Sequence, residues 1–324
     1  MVNSAYAQTS DGLFWVAFVV YFMALIGFVA AFAYRSKGAS TLAVVLASIG
    51  AAAHAGSIAT RGLAAARPPW GNMYEYSSMI AFLVVVGYLV IVNGRLKLRD
   101  LGGFAIALAL VSLSLGRVLY APAGPLVPAL SSWWLKVHVA AMITASSTFS
   151  IAFIFTILYL LKDRAERRAA TSLFGGSTVG AAYAGPTVGD KPGFPVDYAS
   201  SEPVDAKRDG EVKGFWARLP SSEKLDTLAF RTHTIGFPIW TFGVIAGAIW
   251  ASKAWGRYWG WDPKETWAFI TWVIYAGYLH ARATAGWRGR KAALVASAGF
   301  VSLWITYYVV NLWIVGLHSY AGVK

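Results

Sequence analysis

The chain has 324 residues, of which 57% are hydrophobic and 13% charged, against roughly 45–50% and about 25% in ordinary soluble domains. That inventory excludes a water-facing globular surface and makes lipid the solvent for most of the chain. The formal net charge of +13 follows from Lys and Arg retained in cytoplasmic loops and gives no reason to invoke nucleic acid, while the absence of cysteine excludes disulfides, thiolate metal sites, cysteine nucleophiles and CxxC redox pairs.

A transmembrane helix needs about 20 mostly apolar residues. Eight segments meet that requirement, roughly 13–34, 40–60, 73–92, 101–120, 134–161, 229–252, 265–283 and 292–316, and they predict an all-α, polytopic integral membrane protein. Asp11 and the lack of Lys or Arg ahead of the first apolar run make that run a membrane span rather than a cleavable leader. With the N-terminus outside, the inner connections and the two ends of the long polar segment carry sixteen basic residues against eight on the outer side. Basic residues mark the cytoplasmic face, so both termini are expected outside.

Three regions follow. Residues 1–161 hold spans one to five with an outer loop at 117–133. Residues 162–228 form a cytoplasmic linker rich in Gly, Ala, Ser and Pro, too poor in apolar residues to fold alone. Residues 229–324 hold spans six to eight, and Ser221 to Thr227 are expected to begin an interfacial helix leading into span six.

Around the junction of spans six and seven, six of the fifteen tryptophans, Trp250, Trp255, Trp259, Trp261, Trp267 and Trp272, fall within 23 residues. An interfacial aromatic belt explains two or three of them. The outer turn at 250–267 offers flat, rigid surfaces and indole N–H donors, which suit a large planar apolar ligand. Asp262 and Glu265 flank Pro263 and read as a helix start.

Depth sorts the five histidines. His138 lies about one turn into the fifth span, and His318 lies just past the eighth in GLHSYA, so both share the level of the tryptophan turn. Two neutral imidazoles on opposite faces of a porphyrin are a standard way to hold haem iron. His280, in YLHAR near the inner end of the seventh span, is an ionisable group at membrane depth and therefore a functional candidate. His233, near the inner boundary, and His54, among alanines in the second span, read first as structural imidazoles. Arg61, Arg67, Lys253 and Arg257 are the outer cations from which partners for haem propionates are expected.

The stretch WGRYWGWDPKETWAFITWVIYAGYLHAR resembles the tryptophan-rich WWD signature of haem-handling proteins in cytochrome c biogenesis. WWLKVHV, GFPIWTFGVIAGAIWA, NLWIVGLHSYAG and PPWGNMYEYS, the last with Asn72, Tyr74 and Glu75, extend the likeness from about His54 to the C-terminus. The order of His138, the turn, His280 and His318 resembles the System II membrane family called CcsA or ResC, or CcsB in actinobacteria, more than the System I subunits.

The resemblance implies a protein of the bacterial plasma membrane that binds haem b as ligand and substrate. His138 and His318 would ligate iron on the outer face, against Trp250, Trp255, Trp259, Trp261 and Trp267 with Asp262 beside them. It also implies attachment of haem to the CxxCH thiols of apocytochrome c, in company with a ResB/Ccs1-type membrane subunit. His280 would ligate a second, inner haem whose other ligand comes from that partner or from His233. A haem carrier without ligation activity and a b-type respiratory electron carrier are the alternatives, the latter needing two histidine pairs at two depths.

Overall fold

The computed structural model describes residues 3–125, 131–175, 212, 214–314 and 316–317, with backbone alone for 172–175. The chain order is α1 (Ser4–Ala33), α2 (Lys37–Ala65), α3 (Met73–Arg95), α4 (Gly102–Val118), α5 (Trp133–Gly175), a single turn α6 (Phe215–Arg218), α7 (Ser222–Trp255), α8 (Pro263–Ala283) and α9 (Arg290–Trp313). Among the described residues there is no strand, and the protein is an all-α polytopic membrane protein. The long helices α1 to α5, α7 and α9 are each long and apolar enough to cross a membrane. Helix α8, the seventh of the segments expected to span, has 21 residues but is diluted by Lys264, Glu265, tyrosines and threonines, and does not reach the apolarity of the other seven.

Side-chain caps set the helix starts. Asn3, Ser36, Asn72, Ser221 and Asp262 each accept a hydrogen bond from a first-turn amide of α1, α2, α3, α7 and α8, removing one of the unsatisfied donors every helix begins with. Helix α7 starts at Ser222, as the polar segment ahead of the sixth span suggested. Helix α5 runs on to Gly175, well past the end of its apolar run near 161. The pairs Lys162–Glu166 at 3.5 Å and Asp163–Arg167 at 3.0 Å bridge successive turns there, so the helix outlasts the hydrophobicity. The middle of the expected linker, 176–211, lies outside the described residues.

Small residues let the helices approach. Fully buried Ala17, Ala24, Ala43 and Ala47 line the α1–α2 contact, and Gly50 leaves room for the Tyr21 ring. On α7, Gly236, Gly243 and Gly247 lie against Phe149, Met142 and His138 of α5, each where an added methyl would come within 3 Å. Phe149 stacks on Tyr275 and Phe153 on Phe300, both at 4.0 Å between ring centres, joining α5 to α8 and α9.

The two ends of the bundle differ. At one, Arg218 reaches Asp100 at 3.1 Å and Arg282 reaches Asp226 at 2.8 Å. At the other, the Asn3 amide bonds Ala64, joining the start of α1 to the end of α2. This second end carries the tryptophan turn.

Candidate functional site

Helix α7 stops at Gly256, whose φ of +73° breaks it, and the chain turns to α8 through Trp261, itself left-handed at φ +57°. The turn is held from below. Asp262 accepts from the Lys264 amide at 3.2 Å, and the Glu265 carboxylate reaches back to the amides of Gly260 at 2.8 Å and Asp262 at 3.2 Å, a reciprocal capping box. The second Asp262 oxygen accepts from the Leu317 amide at 2.7 Å, and a methyl at Gly316 would lie 2.6 Å from it. Asp262 therefore ties the chain after α9 to the tryptophan turn, one residue ahead of His318, which lies outside the described residues.

His138 is half-buried on α5. Its Nδ1 lies 2.7 Å from the carbonyl of Gly243. A carbonyl only accepts, so the proton sits on Nδ1 and the lone pair on Nε2, the tautomer a metal ligand requires. Gly247, one turn further along α7, gives the ring its slot, and Trp250 lies nearly parallel to it, 6.4 Å away at 14°.

That imidazole lines a cavity of about 210 Å³. Trp250 and Trp259 wall it beside His138, Tyr76 and Tyr307 stack on each other at 4.2 Å further round, and Trp240 lies deeper. From His138 it reaches Ser150 on the same helix, twelve residues or about 18 Å inward. The α9 wall is a short π-helical stretch, Ile305–Val309, a distortion found often at functional sites. It turns Tyr307 to the Met73 carbonyl at 2.8 Å and Tyr308 to Ser77 at 3.1 Å. Two lysines also line the cavity, Lys136 of α5 and Lys264 of α8. Lys264 donates to Asn311 Oδ1 at 2.9 Å. It precedes the apolar run of α8, and burial pushes it down to about 8 against the opposing pull of Asp262.

The expected site residues divide. Trp250 is buried, Trp255 packs against it at 4.8 Å, and Trp259 faces the cavity. Trp261 is 65% exposed, its ring edge-on to Trp259 and Phe269, and neither Trp261 nor Trp267 lines the cavity. Trp272 donates to Thr241 at 2.9 Å and ties α8 to α7. His54 is fully buried between Ser78 at 2.8 Å and Tyr21 at 3.4 Å, a structural imidazole.

His280 is exposed near the end of α8, while His233 is fully buried against Tyr275 and Tyr278. Tyr278 and His280 are two residues apart, about 200° round the helix, so these two histidines occupy different faces and are not brought together.

Two of the four expected propionate partners are committed elsewhere. Glu75 holds Arg61 at 2.9 Å and Arg67 at 2.7 Å, and accepts the Gly71 amide at 2.7 Å. The same arginines reach the carbonyls of Ala121 and Gly124, so the trio clamps the loop after α4 to the start of α3. Arg257 and Lys253 are exposed and do not line the cavity. Sequence reasoning missed Lys136 and assigned Lys264 no role. The available signal was position: Lys136 is two residues from His138, and Lys264 lies inside the tryptophan signature.

The fold and the site together define a polytopic helical membrane protein with an aromatic, histidine-bearing cavity at one end of its bundle. The sequence family described as Cytochrome C assembly protein matches residues 70–318. The Cytochrome c biogenesis protein CcsA of Porphyra purpurea is 36% identical over 291 residues, covering 88% of this chain and 89% of that protein. The CcsA of Gloeobacter violaceus is 34% identical over 332 residues, covering 98% and 94%, and that of Microcystis aeruginosa 35% identical, covering 94% and 95%. The chain belongs to the CcsA family of cytochrome c assembly proteins. Among solved structures, the Cytochrome c Heme Lyase CcmF superposes with a TM-score of 0.61 at 15% identity, over 94% of this chain and 46% of that longer one, a likeness of fold. The protein acts in cytochrome c maturation.

Proposed function

We propose that the protein is the membrane subunit of a holocytochrome c synthase that holds haem b at the tryptophan turn and presents it to apocytochrome c. The observation that carries this reading is His138: an imidazole whose tautomer is fixed by Gly243 lines an aromatic cavity at the level of the turn. Trp250 and Trp259 supply apolar area to the porphyrin faces, and His138 Nε2 and His318 supply the axial positions. Asp262, through Leu317, sets where the chain carrying His318 begins. A bis-imidazole site protects iron until the client's own CxxCH histidine takes one axial place. Each client thiol then adds across a vinyl group: sulfur bonds one vinyl carbon, the thiol proton goes to the other, and nothing leaves. This chain contributes no thiol, because it has no cysteine.

At the other end, His280 stands on an exposed face of α8, where a ligand must come from outside this chain. That favours a ResB/Ccs1-type partner over His233 as the source of the second ligand of an inner haem. The concentration of basic residues at the opposite end from the turn supports both termini lying outside the plasma membrane of a bacterium.

The test is co-expression with a ResB-type subunit and a CxxCH client. Covalent haem on the client that requires this chain and His138 supports the synthase. Haem appearing outside the cell with no attachment in the full system supports the carrier reading instead.

A further inference from the structure

Two lysines line the cavity wall. Lys136 and Lys264 come from different helices, α5 and α8, yet both line the cavity that holds His138. Among the described residues neither forms a salt bridge, whereas Arg61 and Arg67 share Glu75 and Arg117 pairs with Asp11 at 2.7 Å. Among the described residues that line the cavity the one carboxylate, Glu265, is already bound by the amides of Gly260 and Asp262. Among the described residues Lys264 donates to the neutral Asn311 amide oxygen, and the Asp262 carboxylate whose charge acts on it is itself bound by the amides of Lys264 and Leu317. A cation lining a largely apolar space at a membrane boundary is unfavourable unless a counter-charge arrives with the ligand.

We infer that Lys264 and Lys136 form a clamp for the two carboxylates of the porphyrin that enters this cavity. The inference rests on the haem reading above and deepens it by naming the groups that orient the substrate. Propionates and vinyls occupy opposite edges of a haem b ring. Holding the carboxylates at Lys264 and Lys136 therefore turns the vinyl edge away from them. Histidine ligation alone leaves the ring free to rotate about the iron–nitrogen axis, and the clamp removes that freedom.

The experiment is an equilibrium titration of the purified full-length protein with iron protoporphyrin IX and, separately, with its dimethyl ester, which keeps ring, iron and vinyls but lacks the carboxylates. Wild type is expected to bind the free acid about tenfold or more tighter than the ester, the scale of a charge-assisted contact. Lys264→Met, and more so Lys264→Met with Lys136→Met, should erase that preference while leaving ester affinity unchanged, and Lys264→Arg should restore it. Equal binding of the two porphyrins by wild type, or equal weakening of both by Lys264→Met, would overturn the clamp. His138→Ala serves as the separate arm: it should weaken both porphyrins alike and preserve their ratio. If instead His138→Ala leaves both affinities and the Soret band unaltered, the cavity is not the haem site and the underlying reading fails with the clamp.

Discussion

Gly247 gives the imidazole of His138 the space it occupies. A methyl added there would lie 2.7 Å from Nδ1 and 2.8 Å from Cε1, well inside the 3.4 Å at which ordinary contact begins. In Gly247→Ala the ring must therefore retreat by about 0.7 Å or rotate, because the new atom is fixed to the α7 backbone. Either movement lengthens the 2.7 Å bond from Nδ1 to the Gly243 carbonyl, which fixes the tautomer with the lone pair on Nε2. Losing the outer partner of a ligating histidine typically weakens metal binding by about 10- to 100-fold. Gly277→Ala is the control, since nothing lies within 4 Å of a methyl at that position on α8. The assay is haem titration of the two purified variants, with helical content by circular dichroism to establish folding. Gly247→Ala should be folded and defective in haem binding, and Gly277→Ala should match wild type. A folded Gly247→Ala that binds haem with wild-type affinity and an unshifted Soret band would refute the claim that this slot positions the ligand.

Glu75→Gln should lower the midpoint of thermal unfolding in detergent, with a loss of about 3–5 kcal/mol, because it strands two arginines whose side chains are 5% and 10% exposed; unfolding at the wild-type temperature would deny the trio its structural role. Asp262→Ala should weaken haem binding although Asp262 ligates nothing, since it frees both the α8 start and the Leu317 amide, and unchanged binding would separate the tail from the site. Trp259→Ala should reduce haem retention more than Trp261→Ala, because the first ring faces the cavity and the second is largely solvent- or lipid-exposed; equal defects would point to a role of the whole turn. With the Lys264 ammonium held at about 8, a bound carboxylate raises its pKa, so its contribution is full below that pH and fades above it. Between pH 7 and about 9.5, where imidazole stays neutral, affinity for haem should fall while that for the dimethyl ester stays level. Asp262 and Glu265 on α8 and Lys136 on α5 are the other charged groups at this end of the cavity, and a parallel fall for both porphyrins would assign the effect elsewhere.

Apolar run length carries the spans because a membrane leaves few other ways to satisfy a backbone. The same signal does not report where α5 ends as a helix, since i,i+4 ion pairs rather than hydrophobicity accompany its continuation to Gly175. Depth along a helix placed His138 beside the tryptophans, since rise per residue is fixed. It gave no azimuth, so His233 and His280, matched in depth, lie on different faces of the bundle. The tryptophans were legible as a cluster but not as individual contacts, because the path of the turn, with Trp261 left-handed, is not written in residue spacing. Arg61 and Arg67 read as free outer cations until their long-range partners were in view: Glu75 is close in sequence, but the carbonyls of Ala121 and Gly124 belong to a distant loop. Lys264 and Lys136 are the converse, cations that sequence spacing does not connect and that the packing of α5 and α8 brings to one wall.

The most direct test of the haem site at the turn is the electron paramagnetic resonance spectrum of the ferric protein, recorded for wild type and His138→Ala at matched haem loading. A low-spin bis-imidazole signal is expected in wild type, replaced in His138→Ala by a high-spin signal or by loss of the outer haem. The same low-spin signal with the same haem stoichiometry in both proteins would contradict ligation of iron by His138.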